Sequence, residues 1–192
     1  MVALPSKVKN IKVSPVALNK GESKFVEDLK KYVENEKNGF LINKEVYLLR
    51  NSIGNVGFFE EGNFYPDFIM WIIDISNNKQ YISFIDPKGM RNVGLKSEKV
   101  MLHKKIKEYE KIINKNSLDN SIILNSFILS VTSIDELKML YNGITLDSCE
   151  ANNVFFIDTN NYIDRLINKV IFKEEVEIKE IITDVSKLEQ KL

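Results

Sequence analysis

Apolar positions divide the chain into segments of two periodicities. Phe25, Val26, Leu29, Tyr32 and Val33 recur at helical spacing and predict a helix over about 22–36, ended by Asn38-Gly39. Residues 40–50 read as a strand, followed by a connection carrying Gly54, Gly57 and Gly62. From Asp67 to Ile75 the chain is almost continuously apolar, as in a strand buried on both faces. Ser76-Asn77-Asn78-Lys79 reads as a turn, and residues 80–88 as the next strand, so the two form a hairpin. A basic amphipathic helix is expected over 97–114, a strand over 122–131, a short helix over 134–142 and a short strand over 153–158. Two helical stretches, about 160–172 and 174–190, close the chain, while residues 1–20 look extended.

The order is helix, three strands, helix, strand. It predicts an α/β domain with a mixed sheet flanked by helices. A length of 192 residues fits one domain, with a core over about 20–160 and a C-terminal helical extension over about 160–192. The composition, 44% hydrophobic and 28% charged, is that of an ordinary globular chain able to bury a core. The one cysteine, Cys149, excludes an intrachain disulfide and a multi-cysteine zinc site. The one histidine, His103, excludes a histidine-rich centre. A metal would therefore need mainly oxygen ligands, which favours Mg²⁺, with Mn²⁺ as a substitute. No apolar run suits a signal peptide or a membrane span, so a cytoplasmic location is expected.

Net charge is zero, but the charge is unevenly placed. Between residues 88 and 115 stand nine basic side chains, from Lys88, Arg91, Lys96 and Lys99 through Lys104 to Lys115, against Glu98, Glu108 and Glu110. Such a stripe suits nucleic-acid phosphates, and equally a solvated helix face. Lys99, His103 and Lys107 form an i, i+4, i+8 row in which His103 is either a DNA contact or a surface residue without a role. Lys104 and Arg91 are further candidates for DNA. Arg50 and Asn51, at the end of the first strand, read as phosphate contacts or as loop supports.

The chemistry-bearing stretch is Phe64-Tyr65-Pro66-Asp67-Phe68, followed after the hairpin by Phe84-Ile85-Asp86-Pro87-Lys88-Gly89. Strand side chains alternate faces, so Asp86 and Lys88 share one, with Ile82 and Phe84 behind them. Antiparallel pairing brings Asp67, at the start of one strand, beside the end of the next. Two adjacent carboxylates repel unless a divalent cation takes both as ligands. Such a cation polarises a phosphoryl oxygen and acidifies a bound water, which a lysine orients or deprotonates. Pro87 lacks a ladder donor, so the strand is expected to twist or leave the sheet there, freeing its carbonyl as a ligand. Glu22 shares the packing stripe of Phe25, Leu29 and Val33 and is expected to be a third acid of the site. Alternatively, Glu22 simply complements the helix dipole. Glu27 lies opposite that stripe.

These residues resemble the PD-(D/E)xK nuclease superfamily: Pro66-Asp67, then Asp86-Pro87-Lys88, with Glu22 on a preceding helix. The runs LLRN (48–51), GFFEEGNFYPDFIMWI (57–72) and FIDPKGMR (84–91) are similar to the C-terminal nuclease domain of type III restriction enzyme Res subunits and related DEAD/DEAH-box helicase-like proteins. The likeness covers roughly residues 14–160. It implies a restriction-endonuclease-like αβββαβ core and Mg²⁺-dependent endonucleolytic hydrolysis of DNA in a restriction or phage-defence system. Asp67, Asp86, Lys88 and Glu22 would be its catalytic residues, and Asp67, Asp86, Glu22 and the Pro87 carbonyl its metal ligands. Partners would be DNA, a helicase/ATPase motor domain and a modification subunit. The chain has no G-x-x-x-x-G-K-[ST] phosphate loop, so an excised domain or a motor-less relative is expected. The rival readings are a non-catalytic nucleic-acid-binding module of a larger machine and an assembly domain.

Overall fold

The computed structural model describes residues 17–52, 54, 56–58, 64–116 and 121–172. Helix α1 (Lys20–Glu36) begins in a capping box. The Asn19 side chain accepts from the Glu22 N–H at 2.9 Å, and the Glu22 carboxylate reaches back to Asn19. Strand β1 (Lys44–Arg50) starts later than expected, because residues 37–43 form turns. Asn43 ends them with φ 58°, a left-handed conformation that asparagine tolerates. Strands β2 (Phe68–Asp74) and β3 (Lys79–Lys88) form the expected hairpin. Asp74 fixes its turn by accepting from the N–H groups of Ser76 and Asn77, both at 3.1 Å.

Helix α2 (Glu98–Asn116) crosses to β4 (Ile122–Ser130), which runs parallel to β3. Helix α3 (Ile134–Leu140) follows, then α4 (Leu146–Ala151) and β5 (Val154–Phe156), parallel to β4. The helical reading of the sequence lacked α4, whose six residues are too few for periodicity but start in a Thr145–Ser148 capping box. The result is an α/β fold with a five-stranded mixed sheet in the order β1-β2-β3-β4-β5, flanked by helices.

One sheet face carries Phe68, Met70, Ile72, Ile85, Phe127 and Leu129 and is covered by Phe25 and Leu29 of α1. Helical residues 162–172 belong to the same core, with Tyr162, Ile163, Leu166, Ile167, Val170 and Ile171 buried. They pack on the same sheet face as α1. The second helical stretch expected at the C-terminus, 174–190, lies outside the described residues. The other face packs Ile69, Ile82, Phe84 and Leu124 against Leu102 and Ile106 of α2. A third cluster, around Met90, Val100, Leu137 and Cys149, joins α3 and α4 to the sheet end. Gly21 allows α1 to start close to the end of β4, where a Cβ would stand 2.5 Å from the Val131 Cγ1. Among the described residues no helix is long and apolar enough to cross a membrane.

Candidate functional site

Register places the chemistry. Phe68 pairs with Ile85, and both point to the α1 side. Asp67 and Asp86, each one position away, therefore point to the α2 side. There the Asp86 carboxyl is hydrogen-bonded to Asp67 and only 7% exposed. Burial, followed by the Asp67 charge and that hydrogen bond, pushes Asp86 up to about 7, against the opposing pull of Lys88 and Lys99. Two strand positions on, Lys88 shares the face and is half-buried. It lines a cleft of about 480 Å³ with Gly89, Arg91, Asn92, Val93, Val131, Thr132 and Glu136.

The structure adds Lys99 to this group. Its amine comes up against that of Lys88, lies near both aspartates and stands 5.2 Å from the centre of the Phe64 ring. The Lys88 contact, then burial, holds Lys99 below the usual lysine range. Strand alternation finds Asp86 and Lys88 but is silent about α2, so Lys99 is legible only as part of a basic stripe. Its spacing carries a partial signal: it lies three residues before Leu102, which is fully buried.

Several expected site residues do other work. Pro87 does not take β3 out of the sheet, since Pro87 and Lys88 stay paired with Leu129 and Ser130 of β4. The pairing with β2 has already ended at Ile85, so β3 has an edge on that side, where a missing donor is tolerated. Glu22 is buried, as its helix stripe implies, but its carboxylate serves the capping box and the Arg50 guanidinium at 3.2 Å. Arg50 lies opposite Phe68 and hence on the α1 side of the sheet, away from the aspartate pair. Among the described residues no three acidic, histidine or cysteine side chains gather in one cluster. The acidic part of the site is thus a pair without Glu22.

Asn51 is buried and clamps the loop rather than facing a phosphate. Its Nδ2 donates to the carbonyls of Val56 and Pro66 at 2.7 and 2.8 Å, and its N–H donates to the Asp67 carbonyl at 2.8 Å. It holds Pro66-Asp67 from two sides and so positions the carboxylate. Asn51→Ala is expected to cost about 2–3 kcal/mol in denaturant unfolding, from two lost side-chain bonds and orphaned acceptors. It should also weaken divalent-ion binding; an unchanged unfolding midpoint would contradict the clamp.

His103 is buried, not on the surface: its Nδ1 lies 2.6 Å from the Val100 carbonyl inside α2. That burial removes it as a direct contact to nucleic acid. Lys104 is exposed on α2, and Arg91 is exposed beside the cleft, ion-paired with Glu136. These two keep the placement that a phosphate contact needs.

The pair fits a hard divalent cation on chemical grounds. Mg²⁺ binds through one or two carboxylates and retains several waters, so a third protein acid is not required. Burial first and the neighbouring Asp67 second raise the Asp86 carboxyl, and a bound divalent cation would offset both. No protein-family model matches the chain, and neither a curated protein nor a solved structure matches it.

Proposed function

We propose that the chain is a metal-dependent nuclease domain of the restriction-endonuclease-like type, hydrolysing phosphodiester bonds of DNA. The observation that carries this reading is the hydrogen-bonded Asp67–Asp86 pair, with Lys88 and Lys99 beside it, where β2 and β3 part. The helix, three strands, helix, strand order and a β4 parallel to β3 support it. So does the exposed basic surface of α2 at Lys104 and Lys105.

In this reading Asp67 and Asp86 hold Mg²⁺ or Mn²⁺, and the Pro87 carbonyl is a candidate further donor. A bound ion would supply Lewis acidity toward a phosphoryl oxygen and a more acidic water. Lys88 orients the attacking water. Arg91 and Lys104 hold flanking phosphates. The buried Asp86 carboxyl, with half-buried Asp67, Lys88 and Lys99 around it, gives the site strong local fields. A restriction or phage-defence setting, a helicase/ATPase motor and a modification subunit are the partners this reading brings with it.

Titration calorimetry with Mn²⁺, alongside a Mg²⁺-dependent DNA cleavage assay, tests the proposal. The expected result is saturable Mn²⁺ binding that Asp67→Asn and Asp86→Asn both abolish. Binding that survives both substitutions would remove the metal site. DNA binding with no metal binding would favour a non-catalytic nucleic-acid module instead.

A further inference from the structure

Among the described residues, the α2-side face of the sheet is only half covered. Helix α2 lies over β3 and β4, where Ile82, Phe84 and Leu124 are packed. Across β1 and β2 the same face carries Tyr47 opposite Trp71, with Leu49 one strand pair away. These side chains are 54%, 40% and 61% exposed. Ile42 and Ile75, beside the start of β1 and the end of β2, are exposed as well. Together they make a largely apolar track along one edge of the sheet, crossed by Glu45, whose carboxylate accepts from the Tyr47 hydroxyl at 2.7 Å.

The described chain ends at the start of that track. Helical residues 162–172 finish with Phe172, whose ring lies 5.4 Å from that of Phe40 in the turn before β1. Residues 173–192 follow. In them Ile178, Ile181, Val185, Leu188 and Leu192 recur at alternating intervals of three and four, with Ile182 beside them, a stripe that suits one helix face. With the helix begun at 178 rather than at the 174 expected above, residues 173–177 would reach about 17 Å when extended, enough to round a sheet edge where layers pack about 10 Å apart. A helix over 178–192 would be about 22 Å long, and the seven residues of β1 about 23 Å.

We propose that residues 178–192 dock as an amphipathic helix on the exposed face of β1 and β2, with the stripe against Tyr47, Leu49 and Trp71. This occupant is favoured over a second copy because the chain is delivered to the edge where the track begins, with a matching length and apolar stripe. Docking would complete the layer that α2 leaves half built, and would do so whether or not the carboxylate pair cuts DNA.

The chain's one tryptophan is Trp71, so its fluorescence reads the face directly. In the full chain its emission should be blue-shifted and poorly quenched by acrylamide. Ile181→Asp with Val185→Asp should raise the quenching constant at least about twofold and red-shift the emission, at unchanged monomer mass. If the double aspartate variant fails to fold by circular dichroism, Ile181→Ser with Val185→Ser serves in its place. Equal quenching in the full chain and the folded variant overturns the proposal. Shielding that vanishes on dilution, with dimer mass at high concentration, overturns it in favour of a second copy. Quenching of Trp71 in the full chain by an added oligonucleotide would assign the face to nucleic acid instead.

Discussion

Asp67→Asn and Asp86→Asn are each expected to lower Mg²⁺-dependent DNA cleavage by roughly a thousandfold or more, the loss of an ion worth several kcal/mol to the transition state. Lys88→Met should behave differently. It leaves both carboxylates in place, so Mn²⁺ binding should survive. Cleavage should still fall by at least about a hundredfold, because the water loses its orienting group and the phosphate its compensating charge. The contrast separates metal holding from water activation. Single-turnover cleavage and metal titration on the same preparations check it. A Lys88→Met protein that cuts normally would exclude that lysine from the chemistry, and one that no longer binds Mn²⁺ would show it to be structural.

The second large effect is on stability, and it runs against function. Asp86 in the fold loses its proton near pH 7, well above an unfolded aspartate. Below the unfolded value both states are protonated, and the group contributes nothing. As pH rises toward 7 the unfolded chain releases this proton first, so stability falls across that window and levels off above it. Asp86→Asn removes the penalty. The variant should therefore be more stable than the parent in chelator, by on the order of 2–4 kcal/mol at pH 8 and by little at pH 4. Saturating Mn²⁺ should reverse the order by stabilising only the parent. For the same reason the parent's Mn²⁺ affinity should rise by up to about tenfold per pH unit below 7 and flatten above it. Thermal melts at several pH values, with and without metal, test both statements. A variant less stable than the parent throughout would mean that the carboxyl is held by contacts the pair does not describe.

That gain from removing an acid distinguishes a site from a scaffold. A buried carboxyl held beside a second acid costs free energy unless a ligand compensates. Asp74 provides the comparison. It is equally inaccessible, but its carboxylate accepts from Ser76 and Asn77 and pairs with Lys44 at 3.2 Å. Its local bonds give it a structural reason to be there. Asp86 has instead a second acid beside it.

Local sequence determined much of this arrangement. Period-two alternation placed Asp86 and Lys88 on one face, and a hairpin of known length brought Asp67 back to them, because both follow from strand geometry alone. The buried stripe of α1, including Glu22, followed from helical spacing. What spacing does not carry is the choice among partners once elements pack. Glu22 lies on the inward side of α1 as expected, yet Arg50 and its own cap take the carboxylate. His103 and Lys99 belong to one helix row; packing buries the first against its own helix and brings the second to Lys88. Asn51 reads as a phosphate contact in sequence and becomes the clamp on Pro66-Asp67, because only the folded loop brings their carbonyls to it. Pro87 stays in the sheet because the neighbouring strand stops two residues earlier, a fact of register rather than of proline. Local spacing thus carries the long elements and the faces of their side chains, but not the six residues of α4 or the burial of His103. Tertiary packing alone decided which charges meet, since an ion pair or clamp depends on distances between segments that no local periodicity encodes.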